Sequence, residues 1–457
     1  MQRCLAIAFL TCKAAFRFRL FWVLAVLLLA SVVLLPLLLK DDGTARGFTQ
    51  ILLTYTLTVI TSLLGLATLW LACGILAKDI EECQLQMVAV KPVARWQIWL
   101  GKWLGLVFLN IALLVIAGTS VYILLHWRAS RLRPDQQQVL RKEILVARGS
   151  LKPEKPDIEK DVDDVVEERR RRKAVTDDVQ SNASRDQVRD IITAFYQSVR
   201  PGVARDYIVN VGLRRVTLAN EPLFVRVKFY VARTNASGTY MTTWQIGPPN
   251  RAWIQNLMLA AETPHEFAIP PNLFDEQGRL FIRLINREPT TLVVPLDEGL
   301  EVLYREGGFT LNFARGLGII ACWLALLAAI GLASATFLSF PVAAFVSASI
   351  LFAVFSSGTI ANVVTEGTVF GLNHETGQAA AGWLDVVLLP VFRTILWLIN
   401  VVGEFSPIDA LSTGRSIGWW QLARGFGQIV VIMGGIAAIA GMIILTRREL
   451  ATAQPQV

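Results

Sequence analysis

Charge is scarce in this chain, histidine is scarcer, and cysteine is missing from its most polar stretch. Only 18% of the 457 residues are Asp, Glu, Lys or Arg, against about 25% in a soluble globular chain. With 54% hydrophobic residues and a mean hydropathy of +0.48, this composition points to an integral membrane protein with room for a separate soluble domain. The five cysteines are Cys4, Cys12, Cys73, Cys83 and Cys322. None falls between residues 127 and 310, so that region has no disulfide framework, and no Cys-x-x-Cys or Cys/His pair has metal-ligand spacing. His126, His265 and His374 are far apart and read as structural or interfacial.

The catalytic motifs are missing as well. No Gly-x-x-x-x-Gly-Lys-Ser/Thr phosphate loop exists, since Gly101-Lys102 is followed by Trp103. There is no His-Glu-x-x-His helix and no Gly-x-Ser-x-Gly elbow. The chain is therefore expected to bind neither ATP, nor a metal, nor another cofactor, and not to be an enzyme. Acidic residues are nearly absent from the long apolar runs, which argues against a carboxylate proton relay. The net charge of +8 comes largely from residues flanking those runs, where membrane topology explains it better than nucleic acid does.

What is present begins with residues 1–19, where Leu5, Phe9, Cys12 and Phe16 form one helical stripe among Arg3, Lys13, Arg17 and Arg19. This predicts a helix in the cytoplasmic interface. Residues 20–39 make a run of about 30 Å as a helix, enough for one bilayer core and too long for a signal-peptide apolar region. Further spans are predicted at 49–77, 103–126, 314–339, 341–363 and 424–446, with Ser339-Phe340-Pro341 as a tight cytoplasmic turn. Residues 381–402 are interrupted by Asp385, Pro390 and Arg393. A full crossing there would put Arg447-Arg448 outside, so 381–420 is read as a re-entrant or interfacial hairpin whose irregular backbone is shielded by protein. Asp385 and Arg393 are candidates for an ion pair there. The expected fold is a polytopic α-helical membrane protein of six spans, with both termini cytoplasmic.

At Trp127 the composition turns polar up to residue 310, predicting an inserted extracytoplasmic α+β domain. Residues 134–200 read as charged helix with a breaker around Gly149 to Pro156, and the run Glu167 to Lys173 as a solvated helix face rather than a nucleic-acid patch. From Gly202 the apolar period becomes two: Val225, Val227, Phe229 and Val231 alternate with Arg226, Lys228 and Tyr230. Strands are expected there and near 207–218, 241–246, 252–260, 280–284, 290–296 and 300–305, making an antiparallel β-sandwich over 202–306. The sequons at Asn182 and Asn235 read as chance matches.

One polar stretch, Lys78 to Trp103, separates two apolar runs. Asp79, Glu82 and Gln86 share one helix face and Ile80, Cys83 and Met87 another. Pro92 ends that helix. Lys91, Arg95 and Lys102 put positive charge at the boundary, which places the loop in the cytoplasm. The order of acidic segment, Lys91-Pro92-Val93-Ala94-Arg95, then Trp99-Leu100-Gly101-Lys102 resembles the membrane-spanning subunits of type-2 ATP-binding-cassette (ABC) transporters. The C-terminal region is similar to that family's copper-enzyme-maturation-like permeases, through Phe405-Ser406-Pro407-Ile408-Asp409-Ala410-Leu411, Gly414 and Arg447-Arg448-Glu449-Leu450. The chain departs from it at Cys83-Gln84-Leu85-Gln86, where the family often has Gly-Thr, and in the size of its 127–310 insertion.

The resemblance implies a permease in the plasma (bacterial inner) membrane that pairs with a separate cytoplasmic ABC ATPase and dimerises with itself or a related permease. A coupling helix at 79–90 would sit in a groove of the ATPase. Asp79, Glu81, Glu82, Lys91, Pro92, Arg95, Gly101 and Lys102 are its implied coupling residues; Asp385, Arg393, Pro407 and Asp409 mark the re-entrant region. The other reading from the residues is a membrane-anchored assembly protein whose 127–310 domain recruits an envelope partner.

Overall fold

A computed structural model of the chain describes residues 2–17, 19–38, 44–82, 93–140, 144–175, 185–231, 238–356, 360–361, 363–364, 383–403 and 405–447. The chain divides into two compact units, Met1–Ala147 with Gly308–Val457, and Arg148–Gly307.

The first unit is helical: α1 (Gln2–Arg17), α2 (Arg19–Leu38), α3 (Ala45–Glu81), α4 (Arg95–Ala129), α5 (Phe309–Ala335), α6 (Phe340–Phe355), α7 (Trp383–Gly403) and α8 (Trp419–Arg447), with short helices at Pro134–Val139 and Pro407–Ser412. Four of these contain a stretch long and apolar enough to cross a membrane: Gly47–Glu81, Arg95–Ala129, Phe309–Ala335 and Trp419–Arg447. Helices α2 and α6 cover most of the runs at 20–39 and 341–363. The run at 381–402 is one helix of 21 residues that continues through Pro390.

Small residues set the helix spacing. A Cβ at Gly101 would lie 2.7 Å from Ile7 Cβ, and one at Gly105 2.7 Å from the Ala8 carbonyl oxygen. These two glycines, four apart, let α4 lie directly against α1, as small residues do between apolar helices. The face of α1 at that contact is Cys4, Ala8, Thr11 and Ala15, all buried. The expected stripe lies away from this contact: Leu5, Phe9 and Phe16 are exposed, Phe9 by 72%. Periodicity located that apolar stripe; the face packed against α4 is set by closeness of approach rather than by side-chain size. The same device recurs where a Cβ at Gly331 would meet Ala72 Cβ at 2.7 Å.

The second unit carries helices Ile158–Val175 and Arg185–Gln197 and most of the strands. Eleven strands occur among the described residues: β1 (Val146–Leu151), β2 (Ser198–Val199), β3 (Ala204–Asn210), β4 (Leu223–Val227), β5 (Tyr230–Val231), β6 (Thr239–Ile246), β7 (Trp253–Ala260), β8 (His265–Ile269), β9 (Arg279–Asn286), β10 (Leu292–Val293) and β11 (Leu300–Gly308). They form separate sheets, ordered β1-β11-β4-β8, β2-β10-β5 and β3-β9-β6-β7, with antiparallel pairing in each. Alternation works as expected: Val225 and Val227 join Trp244, Tyr240, Leu280 and Ile282 in a core of buried apolar side chains. Their polar alternates build a ladder of charge. Glu301, Arg226 and Glu266 stand opposite one another across β11, β4 and β8, Arg226 lies 3.5 Å from Glu301, and Arg148 donates to Glu266 at 2.9 Å.

The run Glu167 to Lys173 lies on the helix Ile158–Val175, with Glu167, Glu168 and Arg171 exposed. That helix is tied to Arg185–Gln197 by Arg189 to Glu159 at 2.8 Å and Arg185 to Asp163 at 2.7 Å. The Arg189 and Arg185 guanidiniums hold the Glu159 carboxyl below the usual carboxylate range. His265 is half-buried and bonds the Ala260 carbonyl at 2.9 Å, a structural role. His374, Asn182 and Asn235 lie outside the described residues.

Candidate functional site

The polar stretch between α3 and α4 gathers four helix ends. Helix α3 runs on without a break to Glu81 and is closed by Glu82, whose N–H reaches the Lys78 carbonyl at 2.8 Å. Asp79 and Glu81 therefore sit on the last turn of a long helix, not at the head of a separate one. Residues 83–92, with Lys91 and Pro92, lie outside the described residues. Helix α4 starts at Arg95 and carries Gly101 and Lys102 two turns in.

Lys102 is buried and pairs with the half-buried Asp79; its Nζ also donates to the Ile75 carbonyl at 3.3 Å. An ammonium inside a helix bundle must be paired to persist, and this one has a carboxylate and a carbonyl. Glu81 accepts from the Phe340 backbone N–H at 3.1 Å, filling one of the orphan donors that open α6. The Phe340 ring in turn meets Trp70 edge-on at 5.3 Å and lies 5.9 Å from Lys78 Nζ. Arg95 Nη1 donates to the carbonyls of Leu445 at 3.0 Å and Thr446 at 2.9 Å, closing the C-terminal end of α8. Asp79, Glu81, Arg95 and Lys102 thus join α3, α4, α6 and α8 at one pole. Gly101 serves the contact with α1 instead.

The second group of residues is divided between α7 and the short helix Pro407–Ser412. Asp385 is buried and Arg393 exposed, eight residues apart on α7. Pro407 is buried in the first turn of its short helix, and Asp409 accepts from Ser406 Oγ at 2.8 Å there. What holds this region is a residue with no motif around it. Asn312 on α5 donates to the Arg415 carbonyl at 2.8 Å and accepts from Ile417 N–H at 2.7 Å, clamping the turn that ends at α8. Arg315, one turn on, donates to the Ile417 carbonyl at 2.8 Å and lies 4.6 Å from the Trp419 ring. Immediately after, Phe426–Gly434 forms a nine-residue π-helix, a rare geometry that recurs at functional positions. Asn in an apolar run was the available signal for Asn312 and for buried Asn110, which accepts from Thr68 Oγ1 at 3.0 Å.

Comparison with protein-family models, with curated proteins and with solved structures finds no match for this chain. Among the described residues no group of His, Cys, Asp and Glu has the geometry to hold a metal ion.

Proposed function

We propose that this chain is the permease subunit of an ABC transporter, driven by a separate cytoplasmic ATPase. One observation carries the reading: the ends of four helices are fastened to one another at the described residues that flank the segment the motor would touch. A push at those flanks passes between α3 and α4 through Asp79–Lys102, to α6 through Glu81, and to α8 through Arg95. A loop that merely connected two spans has no need of bonds to two further helices. In this reading α2 and α6 also cross the bilayer, giving six spans, both termini face the cytoplasm of a bacterial plasma membrane, and 381–420 forms the outer re-entrant region. The strands of 202–306 work as an extracytoplasmic sandwich, and two permease copies form the membrane part.

Charge reversal at Glu82 tests it. Glu82 is exposed and follows the last helical residue, whereas Glu81 also caps α6. In membranes containing the intact complex, Glu82→Lys should lower transport-coupled ATP hydrolysis while thermal unfolding stays within about 0.5 kcal/mol of the parent, as for other surface changes. Full coupling in that variant, or purification of the chain with no ATPase attached, would remove the proposal.

A further inference from the structure

The two edges of the sheet β3-β9-β6-β7 are treated in opposite ways. At one edge, β3 carries Arg205 and Asp206, and its Ile208 carbonyl accepts from Glu154 N–H at 2.8 Å. Charge and a covering segment are the usual protections of a sheet edge. At the other edge, β7 reads Trp-Ile-Gln-Asn-Leu-Met-Leu-Ala, eight residues with no charge and no proline. Its register with β6 runs through eight consecutive pairs, from Ile246 with Trp253 to Thr239 with Ala260, with no bulge to twist it away. Among the described residues no strand pairs with its outer edge. Ile254 is 62% exposed and Met258 57%, with Met241 beside Met258 on β6 at 41%.

We infer that β7 is a docking edge for the same strand of a second copy of this chain, paired antiparallel about a twofold axis at Asn256. Such an interface sets residue i against j and j against i, with only the residue on the axis facing its own counterpart, so a strand carrying charges of one sign would oppose like charges. β7 has none. In the register centred on Asn256, Ile254 faces the partner's Met258 and Met258 faces the partner's Ile254. Two apolar pairs then flank an amide pair on one face, and two four-stranded sheets become one of eight strands. The backbone N–H and C=O groups on the outer edge are satisfied by the same step. This pairing requires nothing of the transporter reading and holds equally for an anchored assembly protein.

Cysteine cross-linking of the full chain in membranes tests it. At the axis, Cβ atoms of opposed residues lie about 5 Å apart, so Asn256→Cys should yield a disulfide-linked dimer under mild oxidation, above the background of the unaltered chain. Asn256 is exposed, and the change removes only its bond to Thr243 Oγ1. Ile254→Cys alone should not cross-link, because the two copies of that residue are about 13 Å apart along the strands. Copies carrying Ile254→Cys mixed with copies carrying Met258→Cys should. Adding Met258→Lys to Asn256→Cys should abolish the adduct. No dimer at Asn256, equal yields at 254 and 256, or an adduct whose mass shows a different protein would each overturn the inference.

Discussion

The two units bury polar groups under opposite rules. In the helical unit, backbone groups are satisfied within each helix, and the side chains that matter at contacts are often the smallest: Gly101, Gly105 and Gly331 admit a neighbour at distances no Cβ would allow. Charge buried there includes Lys102, paired with Asp79 where four helix ends meet, and Asp385 on α7. In the β-rich unit the contacts come from large side chains, Trp244, Tyr240 and Phe229, and charge is spread along strands as the ladder Arg148, Glu301, Arg226 and Glu266. The difference follows from the solvent each element is built for. Helices in lipid gain little from hiding apolar surface and gain instead from close fit. Strands in water gain from hiding it, and use paired charge to fix register.

The comparison can be broken first at Trp244. Trp244→Ala empties the middle of the β core and should destabilise that unit by about 3–5 kcal/mol, while hydrogen exchange in α3, α4 and α5 stays as in the parent. Equal loss of protection in both units would show that they do not hold themselves together separately. Next is Lys102→Met, which leaves the Asp79 carboxylate without its cation. Thermal unfolding in detergent should report a loss of about 3 kcal/mol, and Asp79→Asn in the same chain should restore most of it, because an apolar or neutral pair replaces an ion pair with little penalty. If the double variant is as weak as the single one, the pair is not the reason Lys102 is tolerated.

Gly105→Leu should cost about 1–3 kcal/mol by overpacking, read as faster hydrogen exchange confined to α1. An unchanged α1 would mean that the close approach is not what seats it. The smallest effect is expected at Asp206, whose exposed carboxylate takes two bonds from Arg283, at 2.5 and 2.8 Å. Those bonds hold its carboxyl below the usual carboxylate range. A depressed folded-state value means the pair stabilises above the unfolded value of about 4, and the benefit is lost as pH falls through the folded-state value. Asp206→Asn should therefore be weaker than the parent by about 0.5 kcal/mol or less at neutral pH, and the gap should close in acid. A gap that persists in acid would assign the effect to packing.

Much of the helical unit was legible because a bilayer imposes length and composition, and these survive as unbroken apolar runs. The acidic segment, the Pro92 break and the basic flank likewise marked Lys78–Trp103 as a place apart. The partners of its residues were not legible. Glu81 finds Phe340, 259 positions on, and Arg95 finds Leu445, 350 positions on, and no local pattern encodes such contacts. Strands β1, β2 and β8 escaped notice because Gly149 interrupts the first, the second is two residues long, and the alternation of His265–Ile269 is too brief to count. Gly149 sits there because a Cβ would fall 2.2 Å from the Tyr304 ring, a tertiary reason that reads in sequence only as a breaker.

The sequence by itself determined which segments prefer lipid, where period-two alternation replaces long apolar runs, and that no phosphate loop is present. Those are properties of composition and spacing, fixed before any two distant residues meet. Only the tertiary structure decided that the small-residue face of α1 is the buried one, that Asn312 clamps the turn before α8, and that β7 is left at the edge of its sheet. Each of those depends on which surface arrives opposite, and the free energy of a contact belongs to both partners at once.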